Sequence, residues 1–131
     1  MARRCRVLVV EDKGEIQSLL RNALSLEGYE VTTTGTTASE LHKTILTDYD
    51  IVVIDVAATG DAGHAAAARA RALGIGVIVV GSDPVDAGES IGHAYILKPL
   101  SLSAMSELIR ETLERTKAEC ERPSGPSSRV S

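Results

Sequence analysis

The sequence predicts a doubly wound α/β fold, a five-stranded parallel sheet with helices on both faces. Three observations predict it. Short apolar runs rich in Val and Ile, such as Val7-Leu8-Val9-Val10 and Ile51-Val52-Val53-Ile54, read as strands buried on both faces. Stretches with helical spacing separate them, and an alternating βαβ pattern with connections of this length implies right-handed crossovers. Three runs also end on charge: Glu11-Asp12 after the first, Asp55 after the third, and Lys98-Pro99 after Ala94-Tyr95-Ile96-Leu97.

The strands are expected at Arg6–Val10, Tyr29–Thr34, Asp50–Ile54, Gly76–Val80 and Ala94–Leu97. After the first, Ile16, Leu19, Leu20, Ala23 and Leu24 recur at the spacing of a helix with one buried face, and Gly28 stops it. The second strand, Glu30-Val31-Thr32-Thr33-Thr34 after Tyr29, alternates and is polar, which suits a sheet edge. Thr36 or Thr37 caps a second helix with Leu41 and Ile45 inward. An Ala-rich third helix spans Ala62–Leu73 and closes at Gly74. Pro84 opens and Gly92 ends a short helix before the fifth strand. Ser101 caps the last helix, whose stripe is Leu102, Met105, Leu108, Ile109 and Leu113; Arg110–Glu114 and Glu111–Arg115 are i,i+4 pairs on its wet face. Residues 1–120 form one domain, and the Pro/Ser/Gly-rich stretch 121–131 is expected to be disordered.

Composition narrows the function. At 131 residues the chain suffices for one core, and with 44% hydrophobic and only 2% aromatic residues that core is aliphatic. The absence of Trp and Phe removes the stacking surfaces of single-strand nucleic-acid binders, and a net charge of −4 argues against binding a phosphate backbone. Arg3, Arg4 and Arg6 read as a solvated N-terminus. Cys5 and Cys120 lack metal-ligand spacing and read as two free thiols in a reducing cytosol. No run is apolar enough for a signal peptide or a membrane span, so the expected location is cytoplasmic, with no membrane partner. His42, His64 and His93 read as surface groups, and Asp48, Asp50 and Asp61 as loop solvation.

If the strands are parallel and adjacent, Glu11, Asp12, Asp55 and Lys98 meet at one carboxyl edge, where open α/β sheets bind ligands. Two or three carboxylates beside an ammonium suit Mg²⁺ and a phosphoryl group, because Mg²⁺ takes one or two carboxylates plus phosphate oxygens. A carboxylate nucleophile there forms an acyl phosphate, with the lysine spreading charge over the transferring oxygens.

The segments VLVVED at 7–12, GYEVTTTGTTASEL at 28–41, DYDIVVIDVAATGDAG at 48–63 and YILKPL at 95–100 together resemble the receiver domain of two-component response regulators. The resemblance covers about residues 5–118, and four motifs in register make it specific. It implies strand order 2-1-3-4-5, Asp55 as phosphoacceptor, Asp12 as direct Mg²⁺ ligand and Glu11 acting through water. It also implies that the Ala57 carbonyl faces the metal, Lys98 contacts the phosphoryl group before a cis Pro99, and Tyr95 is a switch aromatic. The implied partners are a histidine kinase or phosphotransfer protein and an unnamed downstream protein.

Three features depart from that pattern. Gly81 stands where the family has a Thr or Ser hydroxyl, with Ser82 one step later: either a bulge brings Ser82 to the phosphate, or the position is empty. The segment after the fourth strand is short, and Thr59 replaces a usual Pro. The leading expectation is a stand-alone receiver, not an enzyme, phosphorylated on Asp55. The alternative is a pseudo-receiver, an interaction module with an altered or lost switch. A phosphohydrolase using Asp55 lacks a dedicated general acid.

Overall fold

The computed structural model describes residues 3–12, 14–83 and 92–121. Its elements run β1 (Arg6–Val10), α1 (Gly14–Leu26), β2 (Glu30–Thr34), α2 (Ala38–Lys43), a 3₁₀ turn at Leu46–Asp48, β3 (Ile51–Asp55), α3 (Val56–Ala72), β4 (Gly76–Gly81), β5 (Ala94–Leu97) and α4 (Leu102–Arg115). The five strands form one sheet in the order β2-β1-β3-β4-β5, every pair parallel. This is the predicted doubly wound topology, with polar β2 at one edge and the sequence of connections reversing direction between β1 and β3.

Side-chain alternation on the strands divides the core in two. Val7, Val9, Ile51, Val53, Ile78 and Val80 face α1 and α4, where Leu20, Leu24, Met105, Ile109 and Leu113 meet them. Leu8, Val10, Val52, Ile54, Val77 and Val79 face α2 and α3, where Leu41, Ala66, Ala67 and Ala70 pack. The alanines of α3 carry no branched side chains, so the helix lies close to the sheet. Thr37 caps α2 through a full capping box with Glu40, and Ser101 caps α4 by accepting from the Ala104 N–H. Gly28, at φ 106°, turns the chain from α1 into β2.

Several details differ from expectation. Leu19 is 54% exposed and Ile45 63% exposed: α2 ends at Lys43, so Ile45 falls outside its inward stripe. Helix α3 begins directly after Asp55, not at Ala62, and bends at Gly60, whose φ of 59° and ψ of −137° are not helical. On α4 the ion pair is Arg110–Glu107 at 2.7 Å, so Arg110 pairs one turn back along the helix instead of one turn forward with the expected Glu114. The helix expected to open at Pro84 lies in residues 84–91, outside the described residues.

Cys5 and Cys120 are joined in a disulfide, against the expectation of free thiols. Sequence spacing hides this, because the segment after α4 returns to the start of β1: the Glu121 N–H donates to the Arg3 carbonyl at 2.6 Å, and Arg4 and Glu121 form a parallel bridge. Asp50 is no solvated loop residue either. It accepts from Arg3 Nη1 at 2.7 Å, Arg3 Nη2 at 2.8 Å and the Arg6 N–H at 2.7 Å. His93 is half-buried, and its Nδ1 accepts from the Val77 N–H at 3.0 Å.

Candidate functional site

The carboxyl edge gathers the charged residues that the strands release. Asp55 is the last residue of β3 and 1% exposed. It also caps α3: its Oδ1 accepts from the N–H groups of Ala57 at 3.0 Å and Ala58 at 3.3 Å. Two amide donors at a helix start fix the orientation of the carboxylate. The chain then folds back tightly. Thr59 Oγ1 donates to the Asp55 carbonyl at 2.9 Å, and at Gly63 any Cβ would fall 1.7 Å from that hydroxyl, so only glycine lets the turn close.

Glu11 and Asp12 leave β1 beside Asp55. Glu11 is 2% exposed and Asp12 exposed, and Glu11 Oε1 accepts from the Asp12 N–H at 3.0 Å. Gln17, which sequence reasoning did not single out, fixes this loop from α1: its Nε2 donates to the carbonyls of Glu11 at 3.0 Å and Thr34 at 3.2 Å. Its only signal in sequence is a polar side chain one turn into an apolar-striped helix.

The Glu11 carboxyl is pushed up to about 7, first by burial, then by the adjoining carboxyls of Asp55 and Asp12, against a smaller opposing pull from Lys98. Carboxylate oxygens of Glu11, Asp12 and Asp55 all lie within 4.8 Å of one another. This crowding fits a divalent cation: three oxygen donors of the hard type converge, and their mutual repulsion is the charge such an ion would neutralise.

Lys98 follows β5 directly. Its Nζ forms an ion pair with Asp55 Oδ2. Burial pulls the ammonium down, but the Asp55 hydrogen bond and the charges of Asp55, Glu11 and Asp12 outweigh it and hold Lys98 above its ordinary value. The Lys98 N–H donates to the Gly81 carbonyl at 2.9 Å, and the Lys98–Pro99 peptide is cis. Next to Lys98 an apolar cavity of about 490 Å³ opens between Ile16, Leu19 and Leu20 of α1 and Pro99, Leu100 and Leu102. Leu19 is exposed because it lines this opening.

Ala57 sits in the first turn of α3, with its N–H on Asp55. Strand β4 keeps its register through Gly81, pairing Val80 with Asp55 and Gly81 with Leu97, so no bulge carries Ser82 inward; Ser82 is exposed past the strand end. Tyr95 lies across Gly81 with its hydroxyl donating to the Asp83 carbonyl at 2.8 Å.

A second cluster, Cys5, Asp50 and Cys120, also brings potential ligand atoms together. Its sulfurs are bonded to each other and its carboxylate to Arg3 and Arg6, which removes it as a metal site. Among the described residues no helix is long and apolar enough to cross a membrane.

Residues 7–110 match the response regulator receiver domain family. The chain is 31% identical over 115 residues to the uncharacterized transcriptional regulatory protein YbdJ of Bacillus subtilis, covering 83% of this chain and 51% of that protein. It is 26% identical to the nisin biosynthesis regulatory protein NisR of Lactococcus lactis, over 84% of this chain and 51% of that one. The chain thus spans about half the length of the curated relatives it matches. Among solved structures, a response regulator receiver domain protein from Methanospirillum hungatei superposes with a TM-score of 0.71 at 25% identity, covering 88% of this chain and 98% of that one. With the sheet order and a family match that runs from β1 into α4, this chain belongs to the response regulator receiver domain family.

Proposed function

We propose that this receiver accepts a phosphoryl group on Asp55 with Mg²⁺ bound, and signals by altering a protein-binding surface. The observation that carries the reading is the position of Asp55: buried at the end of β3, paired with Lys98, and crowded by Glu11 and Asp12. Its partners divide the work. The Ala57 and Ala58 amides hold Oδ1, which orients the carboxylate. Oδ2 attacks phosphorus, the bond from phosphorus to the donor's nitrogen or oxygen breaks, and an acyl phosphate forms. Lys98 loses its carboxylate partner in that step, and its ammonium, still charged, pairs with the phosphoryl oxygens instead.

Asp12 and Asp55 would hold the metal directly, Glu11 through water, with the Ala57 carbonyl completing the protein's share. When bound, Mg²⁺ offsets the carboxylate repulsion and neutralises charge on the phosphoryl group. We assign the phosphodonor, a histidine kinase or phosphotransfer protein, to the groove between α1 and Pro99-Leu100, because it is apolar, exposes Leu19 and opens beside Lys98. The step modifies the receiver itself, so no enzyme activity on an outside substrate belongs to this reading. Cytoplasmic location and action without an attached output domain are part of it; the mass of the native gene product in a cell extract tests the latter.

Labelling with acetyl phosphate and Mg²⁺, followed by borohydride reduction and mass spectrometry, tests the assignment. Modification is expected at Asp55 alone, absent in Asp55→Asn and strongly reduced in Asp12→Ala. Modification at Asp50 or Asp61 instead would overturn the assignment. A pseudo-receiver reading draws on Gly81 in place of a hydroxyl residue, and absence of any labelling favours it.

A further inference from the structure

Strand β4 ends on a glycine, and the space that a side chain there would take is filled. A Cβ built on Gly81 would lie 1.9 Å from the Tyr95 hydroxyl oxygen, 2.5 Å from its Cζ and 3.0 Å from its Cε2. Real Cβ atoms do not approach other atoms so closely, so Tyr95 and a side chain at position 81 exclude each other. By register Tyr95 pairs with Val79, two residues before Gly81, so its ring runs forward along the sheet and ends over the glycine. Both ends of the ring are held: its base packs in the α2–α3 side of the core, and its hydroxyl donates to the Asp83 carbonyl at 2.8 Å.

We infer that Gly81 and Tyr95 form a fixed plug: Tyr95 stays turned inward whether or not Asp55 carries a phosphoryl group. The resemblance implies a tyrosine that turns in once a neighbouring hydroxyl is drawn toward the phosphoryl group. Here no side chain at 81 has to leave, so position 81 does not gate the ring. Nor does Tyr95 replace the missing hydroxyl, because a phenol has one proton and the Asp83 carbonyl takes it. The phosphoryl group then meets Lys98 at this edge without a side-chain hydroxyl from β4, and the face containing Tyr95 and Asp83 is the same in both states. The statement about signalling rests on the proposed phosphorylation of Asp55; the statement about the resting ring does not.

Incorporating 3-fluorotyrosine into the full chain tests this, with the three fluorine resonances assigned by Tyr→Phe variants of Tyr29, Tyr49 and Tyr95. At rest the Tyr95 resonance is expected to be solvent-shielded, and addition of Mg²⁺ with beryllofluoride leaves its shift unchanged. Gly81→Thr is expected to move it to the solvent-exposed position at rest. A Tyr95 resonance exposed in the wild-type chain, shifting on beryllofluoride, or indifferent to Gly81→Thr overturns the plug. Should Gly81→Thr not fold, nitration by tetranitromethane decides with the wild-type chain: Tyr95 stays protected at rest if plugged, and reacts if not. Failure of Asp55 labelling with Tyr95 protected overturns the proposed function and leaves the resting plug; labelled Asp55 with exposed Tyr95 does the reverse.

Discussion

Strand β3 has an aspartate at each end, and the two ends are built to opposite purposes. Asp50, just before the strand, is satisfied: a bidentate guanidinium from Arg3 and the Arg6 N–H surround it. Burial alone would raise its pKa, but the Arg3 hydrogen bond, the Arg6 amide and both arginine charges outweigh burial and hold it below the ordinary carboxylate value. Around it the amino edge is closed by the Cys5–Cys120 disulfide and the Arg4–Glu121 bridge. At the other end Asp55 shares its space with two more carboxylates against, among the described residues, the single ammonium of Lys98, and Glu11 is pushed up to about 7. Among the described residues, one edge has its charges compensated within the chain, and the other carries an excess of negative charge that a cation from outside would relieve. An edge of the first kind holds a fold together; one of the second kind binds.

The largest effect expected on this contrast comes from the disulfide. It closes a separation of 115 residues, which on chain-entropy reasoning corresponds to about 4–5 kcal/mol and a melting temperature lower by roughly 15 °C when it is broken. Thermal unfolding with and without dithiothreitol measures this. Cys5→Ser should unfold like the reduced wild type and ignore the reductant. If reduction leaves the wild-type transition where it is, the amino edge does not depend on the clasp.

Next is Asp50→Ala. Asp50 retains only 8% side-chain exposure, and its loss leaves the Arg6 N–H without its acceptor, so about 2–3 kcal/mol is expected in urea unfolding at pH 7. Because the folded pKa is depressed, this contribution is present above the ordinary value near 3.8 and disappears as pH falls below it. The variant and the wild type should therefore converge in acid. Metal binding at the far edge should be unchanged in this variant, which sharpens the separation between the two edges.

The sequence made the two edges unequally legible. The carboxyl edge follows from where apolar runs stop, because a parallel sheet turns the ends of separate strands into neighbours; Glu11, Asp12, Asp55 and Lys98 could thus be brought together before any coordinates. The amino edge has no such rule. Cys5 meets Cys120, Arg3 meets Asp50, and His93 meets Val77 through the detailed path of the termini and loops, which no periodicity records. Local spacing also misplaced Leu19 and Ile45, one because its helix borders an open groove and the other because its helix ended early. The start of α3 was missed because the Asp55 cap and the Gly60 bend join two short helical pieces that sequence spacing treats separately. Register, more than residue type, decided Ser82: β4 runs regularly to Gly81, and the hydroxyl one residue later faces solvent.

Glu11→Gln sharpens the comparison from the other side. Removing a carboxylate from a crowded edge should stabilise the metal-free protein at pH 8 by about 1–2 kcal/mol, where the same change at Asp50 destabilises. The sign follows from the raised pKa: the native state holds a proton that the unfolded chain releases, so wild-type stability falls as pH rises from about 4.5 to about 7 and stays lowered above it. Mg²⁺ should restore much of that loss in the wild type and less in Glu11→Gln. Urea unfolding at pH 5 and 8, with and without Mg²⁺, measures all four corners. A variant less stable than wild type at pH 8 without metal would contradict an edge strained by its own charge.

The smallest effect belongs to His93, which sits at the amino edge and titrates in the opposite sense. Its Nδ1 takes the Val77 N–H, so the ring must be unprotonated at that nitrogen, and its own backbone N–H returns a bond of 2.7 Å to the Val77 carbonyl. Burial lowers its pKa, and the nearby positive charges of Arg71 and Arg115 lower it further. The unfolded chain therefore binds a proton that the native state resists, and stability is lost as pH falls from about 6.5 through the folded value. About 0.5–1 kcal/mol is at stake, the usual worth of one such hydrogen bond. In the wild type this loss runs against the larger gain from Glu11 and partly offsets it. His93→Gln, which offers an acceptor that does not titrate, should reveal the Glu11 gain alone, as a steeper rise in stability from pH 7 to 5. Glu11→Gln should reveal the His93 loss alone, as a fall over that range. If the two variants give parallel curves, the edges of this sheet do not titrate in opposite directions, and the contrast between them is not electrostatic.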